Sequence, residues 1–182
     1  VDTVIAGGDE RYASVAGAMR LIRSGDMAVP NRDGYIFVHD GARPFLTEKI
    51  LRDTYEAARK YGACVSAVRS KDTVKIADGE GFVSETPDRN LVWNMHTPQV
   101  FETKLITDAY AALEKNLQEL KEEGVHITDD AMVLEYFTNH RVKLVEGSYE
   151  NIKLTTPEDL VIAEKILNKA GEKSLQKLSK MC

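Results

Sequence analysis

The sequence predicts an α/β domain, a mainly parallel sheet flanked by helices with a β-hairpin arm protruding from it. Three observations lead there. Short apolar runs alternate with segments of helical period, the mark of βαβ units. One run, Tyr35-Ile36-Phe37-Val38, ends in His39-Asp40-Gly41-Ala42-Arg43-Pro44, so a buried strand delivers a carboxylate and a guanidinium to one rim of the sheet. Residues 71–92 break the rhythm with an alternation of period two around the turn sequence Asp78-Gly79-Glu80-Gly81.

Taken in order, Thr3-Val4-Ile5-Ala6 reads as the end of a strand, and Gly7-Gly8-Asp9-Glu10-Arg11 leads into a helix reaching about Arg23. Polar residues with Gly and Pro make a loop from Ser24 to Gly34 before the strand at Tyr35. Thr47 caps a helix to Tyr61, with Ile50, Thr54, Ala58 and Tyr61 at helical spacing. Ala63-Cys64-Val65-Ser66-Ala67-Val68 is a short apolar strand. In the arm, Val74 and Ile76 alternate with polar residues, and Phe82 to Thr86 returns. Two such strands hold too few apolar residues to stand alone in water, so a second copy of the chain is the expected support.

Beyond the arm, Leu91-Val92-Trp93-Asn94-Met95 is strand-like, with Trp93 read as core, and Thr97-Pro98-Gln99 as a turn. A long helix covers about Thr103 to Lys121, with Leu105, Ile106, Ala109, Leu113, Leu117 and Leu120 on one stripe. Thr128-Asp129-Asp130 opens a helix from Ala131 to Phe137. Val142 to Val145 and Asn151 to Leu154 read as strands. Thr156-Pro157-Glu158-Asp159 starts a helix, with Thr at the cap, Pro at the first position and acids in the first turn. It runs to about Leu167, followed by a polar tail that is frayed or weakly helical from Gly171 to Cys182.

The 182 residues suit a single domain, and 43% apolar with 29% charged residues is ordinary for a globular protein. A net charge of −5 argues against a nucleic-acid surface while leaving room for a local basic pocket. Cys64 and Cys182 form neither a disulfide framework nor a zinc pattern. No apolar stretch approaches a membrane span, and Val1-Asp2-Thr3 lacks a basic leader segment, so a cytoplasmic protein is expected.

The chemistry starts at Asp40 and Arg43. Ligands in open α/β folds bind outside the carboxyl ends of the strands. There, one acid able to hold a divalent cation and one base able to hold an anion suggest phosphate chemistry, although the same pair suits a loop ion pair. Thr128 suits a helix cap and a ligand contact alike, and Arg89 suits a solubilising charge on an edge.

Seven stretches in order extend this reading. They are Ala6-Gly7-Gly8-Asp9-Glu10-Arg11 with Ser14-Val15; His39 to Pro44; Asp72-Thr73-Val74-Lys75; Arg89-Asn90-Leu91-Val92-Trp93; Thr97-Pro98-Gln99-Val100-Phe101; Thr128-Asp129-Asp130-Ala131; and Val145-Glu146-Gly147 through Glu150-Asn151-Ile152-Lys153-Leu154-Thr155 to Leu160. Together they resemble the cytidylyltransferases that activate sugar-alcohol phosphates, above all the 2-C-methyl-D-erythritol 4-phosphate cytidylyltransferase family of non-mevalonate isoprenoid synthesis. The ribitol 5-phosphate cytidylyltransferases share most of these motifs. Glu146-Gly147 and Thr128 to Ala131 match the methylerythritol family better.

The resemblance implies a Rossmann-like nucleotidyltransferase domain that works as a homodimer on CTP, with Mg2+. It implies a cytosine pocket at Gly8, Asp9 and Ser14, and a magnesium carboxylate at Asp40. Arg43, Thr97, Thr128 and Lys153 would surround the sugar phosphate and the reacting phosphorus, and the arm would deliver Thr73 and Arg89 to the neighbouring subunit's site. His39 and His96 are read as structural, because a phosphate nucleophile with a second pKa of about 6 needs no base at neutral pH. The family also has an opening strand and a glycine-rich loop with an Arg and a Lys around the triphosphate, which the 182 residues do not match. Two expectations stay open: a piece of a longer enzyme, or a non-catalytic binding or dimerisation module.

Overall fold

The computed structural model describes residues 3–26 and 33–179. Most of the expected loop from Ser24 to Gly34 and the final positions, Cys182 included, lie outside the described residues.

Helix α1 (Arg11–Ser24) precedes β1 (Tyr35–Val38), α2 (Glu48–Tyr61) and β2 (Ala63–Arg69). The arm follows as β3 (Ile76–Ala77) and β4 (Val83–Glu85). Then come β5 (Trp93–Glu102), α3 (Thr103–Glu122), α4 (Asp130–Phe137), β6 (Lys143–Glu146) and α5 (Pro157–Ser179). The main sheet has the order β1-β5-β2-β6. Its β1–β5 and β2–β5 pairings are antiparallel and β2–β6 is parallel. Among the described residues three strands therefore share one direction and β5 opposes them, which makes the sheet mixed.

The sheet is covered on both faces, and the register shows how. Ala63 pairs with Phe101, and both belong to the core under α1, α3 and α4, with Ile106, Tyr110, Leu113 and Leu134. One residue on, Cys64 pairs with Val100, and both face Ala58 of α2 on the other side. Burial from both faces explains why β2 is apolar apart from Ser66 and the exposed terminal Arg69. The Cys64 thiol, deep in this layer, is pushed up to about 12 by burial, so it is a packing group rather than a nucleophile. Thr47 caps α2 by accepting from the Ile50 N–H at 3.3 Å, as its sequence position predicts.

Several expectations change. Residues 3–6 form no strand, and Val4 stands 87% exposed with no ladder partner among the described residues. Thr97-Pro98-Gln99 is not a turn but lies inside β5. The register there jumps from Val65↔Gln99 to Ala67↔Met95, so β5 bulges at the position where Pro98 has no N–H to give. The Thr97–Pro98 peptide is cis. The stretch 151–154 is not a strand, because its polar groups tie loops together. The Asn151 side-chain amide donates to the Thr97 carbonyl at 2.8 Å, and the Leu154 N–H donates to the Ala42 carbonyl at 2.8 Å. Trp93 is half-buried under the Arg69 guanidinium, 4.5 Å from its ring centroid, and not in the core. The tail continues α5 to Ser179.

The arm is a short hairpin whose turn is organised by Asp78, which accepts from the N–H groups of Glu80 and Phe82 at 3.0 and 2.9 Å. It leaves Phe82 and Val83 well exposed, 68% and 60%.

Gly147, just after β6, approaches β2 so closely that a Cβ there would sit 2.4 Å from Ser66 Oγ, a buried oxygen without a hydrogen-bond partner among the described residues. Gly147→Ala is expected to cost about 1–3 kcal/mol by overpacking. Ser66→Ala, which removes both the clash and an unmet polar atom, should be near neutral alone and should recover most of that cost in the double variant. Urea denaturation of the four proteins measures this, and additive effects would contradict the steric account.

Candidate active site

Five separated segments build one cleft of about 250 Å3 at the carboxyl end of β1, beside the β5 bulge. Its lining includes Arg11, Asp40, Arg43, His96, Thr97, Gln99, Thr128, Asp129 and Lys153. Asp40 is the hub. Its Oδ1 lies 3.2 Å from Arg11 Nε, and its Oδ2 lies 3.2 Å from Lys153 Nζ and 3.7 Å from Arg43 Nε. Burial alone would raise this carboxyl. The Lys153 hydrogen bond and the Arg11 guanidinium outweigh it and hold Asp40 below the ordinary carboxylate range. At 3.7 Å Arg43 Nε is an ion-pair neighbour only, and its N–H is buried without an acceptor among the described residues. Arg43 is otherwise anchored by Nη1, which donates to the Asn151 carbonyl at 2.8 Å.

Arg11, Asp130, Gln99 and Asn151 carried no expected role in the site, yet they line it or brace it from behind. Arg11 Nη2 donates to Asp130 Oδ2 at 2.7 Å, so the guanidinium bridges two carboxylates. Asp130 is fully buried and also accepts from the Tyr110 hydroxyl at 2.6 Å. Burial, then Asp130, push the Tyr110 phenol up, which keeps it a donor. A signal for Arg11 existed. An arginine in the first turn of a helix opposes the helix dipole, so a compensating acid had to be near. Asp129, and not Thr128, caps α4, accepting from the Met132 N–H at 2.8 Å. Gln99 locks this cap to the sheet, donating to Asp129 at 2.9 Å and accepting from the Ala131 N–H at 2.9 Å.

The structure thus brings Asp40, Arg43, Thr97, Thr128 and Lys153 together. It does not bring Thr73 or Arg89 to this cleft; both are exposed, on the arm and at its base. Gly8, Asp9 and Ser14 also lie outside the lining, on the approach to α1 and in its first turn. There the Gly8 N–H donates to Ser14 Oγ at 3.0 Å, and a Cβ on Gly8 would come within 2.6 Å of Ala13 Cβ. This local tie leads the chain directly into Arg11.

With this geometry in hand, the sequence model of the 2-C-methyl-D-erythritol 4-phosphate cytidylyltransferase family matches residues 2–169. The chain belongs to this family. It is 41% identical over 167 residues to the 2-C-methyl-D-erythritol 4-phosphate cytidylyltransferase of Lachnoclostridium phytofermentans, covering 92% of this chain and 66% of that protein. It is 44% identical over 161 residues to the Geobacillus thermodenitrificans cytidylyltransferase of the same name, covering 88% and 63%. The crystal structure of the 4-diphosphocytidyl-2C-methyl-D-erythritol synthase from Anaerococcus prevotii superposes with a TM-score of 0.75 at 37% identity, covering 90% of this chain and 69% of that one. The cytidylyltransferase structure from Thermus thermophilus gives 0.70 at 32%, covering 90% and 72%. The chain spans about two thirds of the length of these cytidylyltransferases.

His96 offers a pH test of the cleft. Burial, and then the Arg43 guanidinium, pull its imidazole down from 6.5 to about 4, and its Nδ1 is buried without a partner among the described residues. As pH falls below 6.5 the unfolded chain takes up this proton first, so His96 removes stability progressively between about 6.5 and about 4. Urea midpoints at pH 7 and pH 5 should differ less in His96→Gln than in wild type. An equal difference would mean that His96 titrates normally in the folded state.

Proposed function

We propose that the protein transfers CMP from CTP to 2-C-methyl-D-erythritol 4-phosphate, releasing pyrophosphate, as a cytoplasmic homodimeric enzyme of isoprenoid precursor synthesis. The convergence of Asp40, Arg43 and Lys153 on one cleft, from positions spread over more than a hundred residues of a chain of this family, carries the reading. The names of the similar proteins favour methylerythritol phosphate over ribitol phosphate, and an enzyme over a bare binding module.

The chemistry asks for what the cleft offers. The attacking phosphate oxygen is already ionised, since the second pKa of a phosphate monoester is about 6. The obstacle is repulsion between two polyanions and the charge that develops on the α-phosphorus. Fixed cations lower that barrier because they need no reorganisation as the charge appears. Lys153 acts as a point charge on the reacting phosphorus, and Arg43, whose Nε–H lacks an acceptor among the described residues, supplies donors for the sugar phosphate. Thr97 and Thr128 frame this position. Asp40 is an ionised carboxylate, a donor that suits Mg2+ completed by substrate oxygens. The ion would neutralise and orient the triphosphate.

Gly8, Asp9 and Ser14 receive the cytosine in this reading, and Thr73 and Arg89 complete the site of a second copy. Support for the second copy is the arm itself, which exposes Ile76, Phe82, Val83 and Leu91 on a hairpin too small to be stable alone.

One experiment tests reaction and shared site together: pyrophosphate release from CTP, dependent on the sugar phosphate, by the complete enzyme. Arg89→Ala and Lys153→Ala homodimers are each expected to be nearly inactive. After co-refolding, a mixed dimer holds one site with both defects and one with neither, so activity should return to at most about one quarter of wild type under random pairing. No recovery in dimers shown to have exchanged subunits would remove Arg89 from the partner's site. A wild type that releases pyrophosphate with ribitol 5-phosphate but not with methylerythritol phosphate would overturn the substrate assignment.

A further inference from the structure

Asp40 and Arg43 sit at the two ends of one tight turn, closed by the Arg43 N–H donating to the Asp40 carbonyl at 2.9 Å. Behind that turn stands His39, half-buried and absent from the cleft lining. Its Nε2 lies 2.9 Å from the Arg43 carbonyl oxygen, which can only accept, so Nε2 carries a proton. Its Nδ1 lies 2.9 Å from Thr97 Oγ1, and that same oxygen accepts the Asp40 N–H at 3.1 Å. In the neutral ring Nδ1 is therefore the acceptor, and the Thr97 hydroxyl donates to it. The result is a directional chain. The Asp40 N–H donates to the Thr97 hydroxyl, the hydroxyl to His39, and His39 to the Arg43 carbonyl. One imidazole clamps both ends of the turn.

We infer that His39 is a positioning residue: through this chain it fixes the backbone of Asp40 and Arg43, and so the aim of the carboxylate and guanidinium in the cleft. The inference rests on the reaction proposed above for its kinetic consequence, but not for its geometry. The Asn151 side chain holds the opposite side of Thr97 through the Thr97 carbonyl at 2.8 Å, so losing His39 frees the turn without dismantling β5. Misplacement of a catalytic group by about 1 Å costs on the order of a hundredfold in rate, which sets the scale.

Two measurements test it. Nitrogen-15 NMR of the wild-type imidazole at neutral pH should show a protonated Nε2 and a bare Nδ1; the reverse tautomer overturns the inference. In the complete enzyme, His39→Leu should keep a thermal midpoint near wild type yet lose roughly ten- to a hundredfold in kcat/KM for the sugar phosphate. His39→Asn keeps an acceptor where Nδ1 stood, and His39→Gln keeps a donor where Nε2 stood. Each should recover part of the loss. Wild-type kcat/KM in a folded Leu variant, or equal loss in all three variants, would reduce His39 to a packing residue. An inactive wild type would refute the proposed reaction alone. The Asp40 amide proton then decides: its resonance must shift in His39→Leu and return toward wild type in His39→Asn for the inference to stand.

Discussion

The cleft depends on one ionised carboxylate among three cations. Charges removed from water are tolerated only when paired. Here Arg11 comes from the start of α1, Arg43 from the turn after β1, and Lys153 from the loop between β6 and α5. Two of them are costly where they stand: Arg11 opposes the dipole of its helix and Arg43 is desolvated, while Lys153 brings a third positive charge to the same carboxylate. Asp40, with Asp130 behind Arg11, makes their assembly possible before any ligand arrives. The same arrangement suits a site that must later receive polyanions, because the cations are held in place rather than recruited.

The rest of the fold serves this placement. The β5 bulge brings Thr97 to the Asp40 backbone, and Asn151 joins that bulge to the turn by giving its side chain to Thr97 and its carbonyl to Arg43. Gln99 links the same strand to the start of α4, so Asp129, Asp130 and Thr128 cannot shift independently of the sheet. Acidification acts on the hub in one direction. The folded-state value of Asp40 lies below 3.8, so its contribution to stability is present above that value and is lost as pH falls through the folded one.

Much of this was legible in the sequence where local rules decide. The Thr47 cap, the stripe of α3, the Asp78 turn and the strand leading to Asp40 follow from capping, period and turn chemistry, although that strand stops at Val38 and is half-buried with Phe37 exposed rather than buried. What escaped depended on partners distant in the chain. Thr97-Pro98-Gln99 has turn composition, yet two flanking strands hold it as a bulge. Asn151 to Leu154 has strand composition, yet buried donors and acceptors elsewhere claim its polar groups. Asp130 looks like an ordinary acid in a first helical turn until Tyr110 and Arg11 are seen to converge on it.

The central claim is that Asp40 is held as an anion by the cations around it. The most direct test is the titration of its side-chain carboxyl by carbon-13 NMR, in wild type and in Lys153→Met. The account predicts a midpoint below the ordinary 3.8 in wild type and a clear rise in the variant, because the Lys153 hydrogen bond is the largest of the effects that lower it. A wild-type midpoint at or above 3.8, or one that Lys153→Met leaves unchanged, would contradict it.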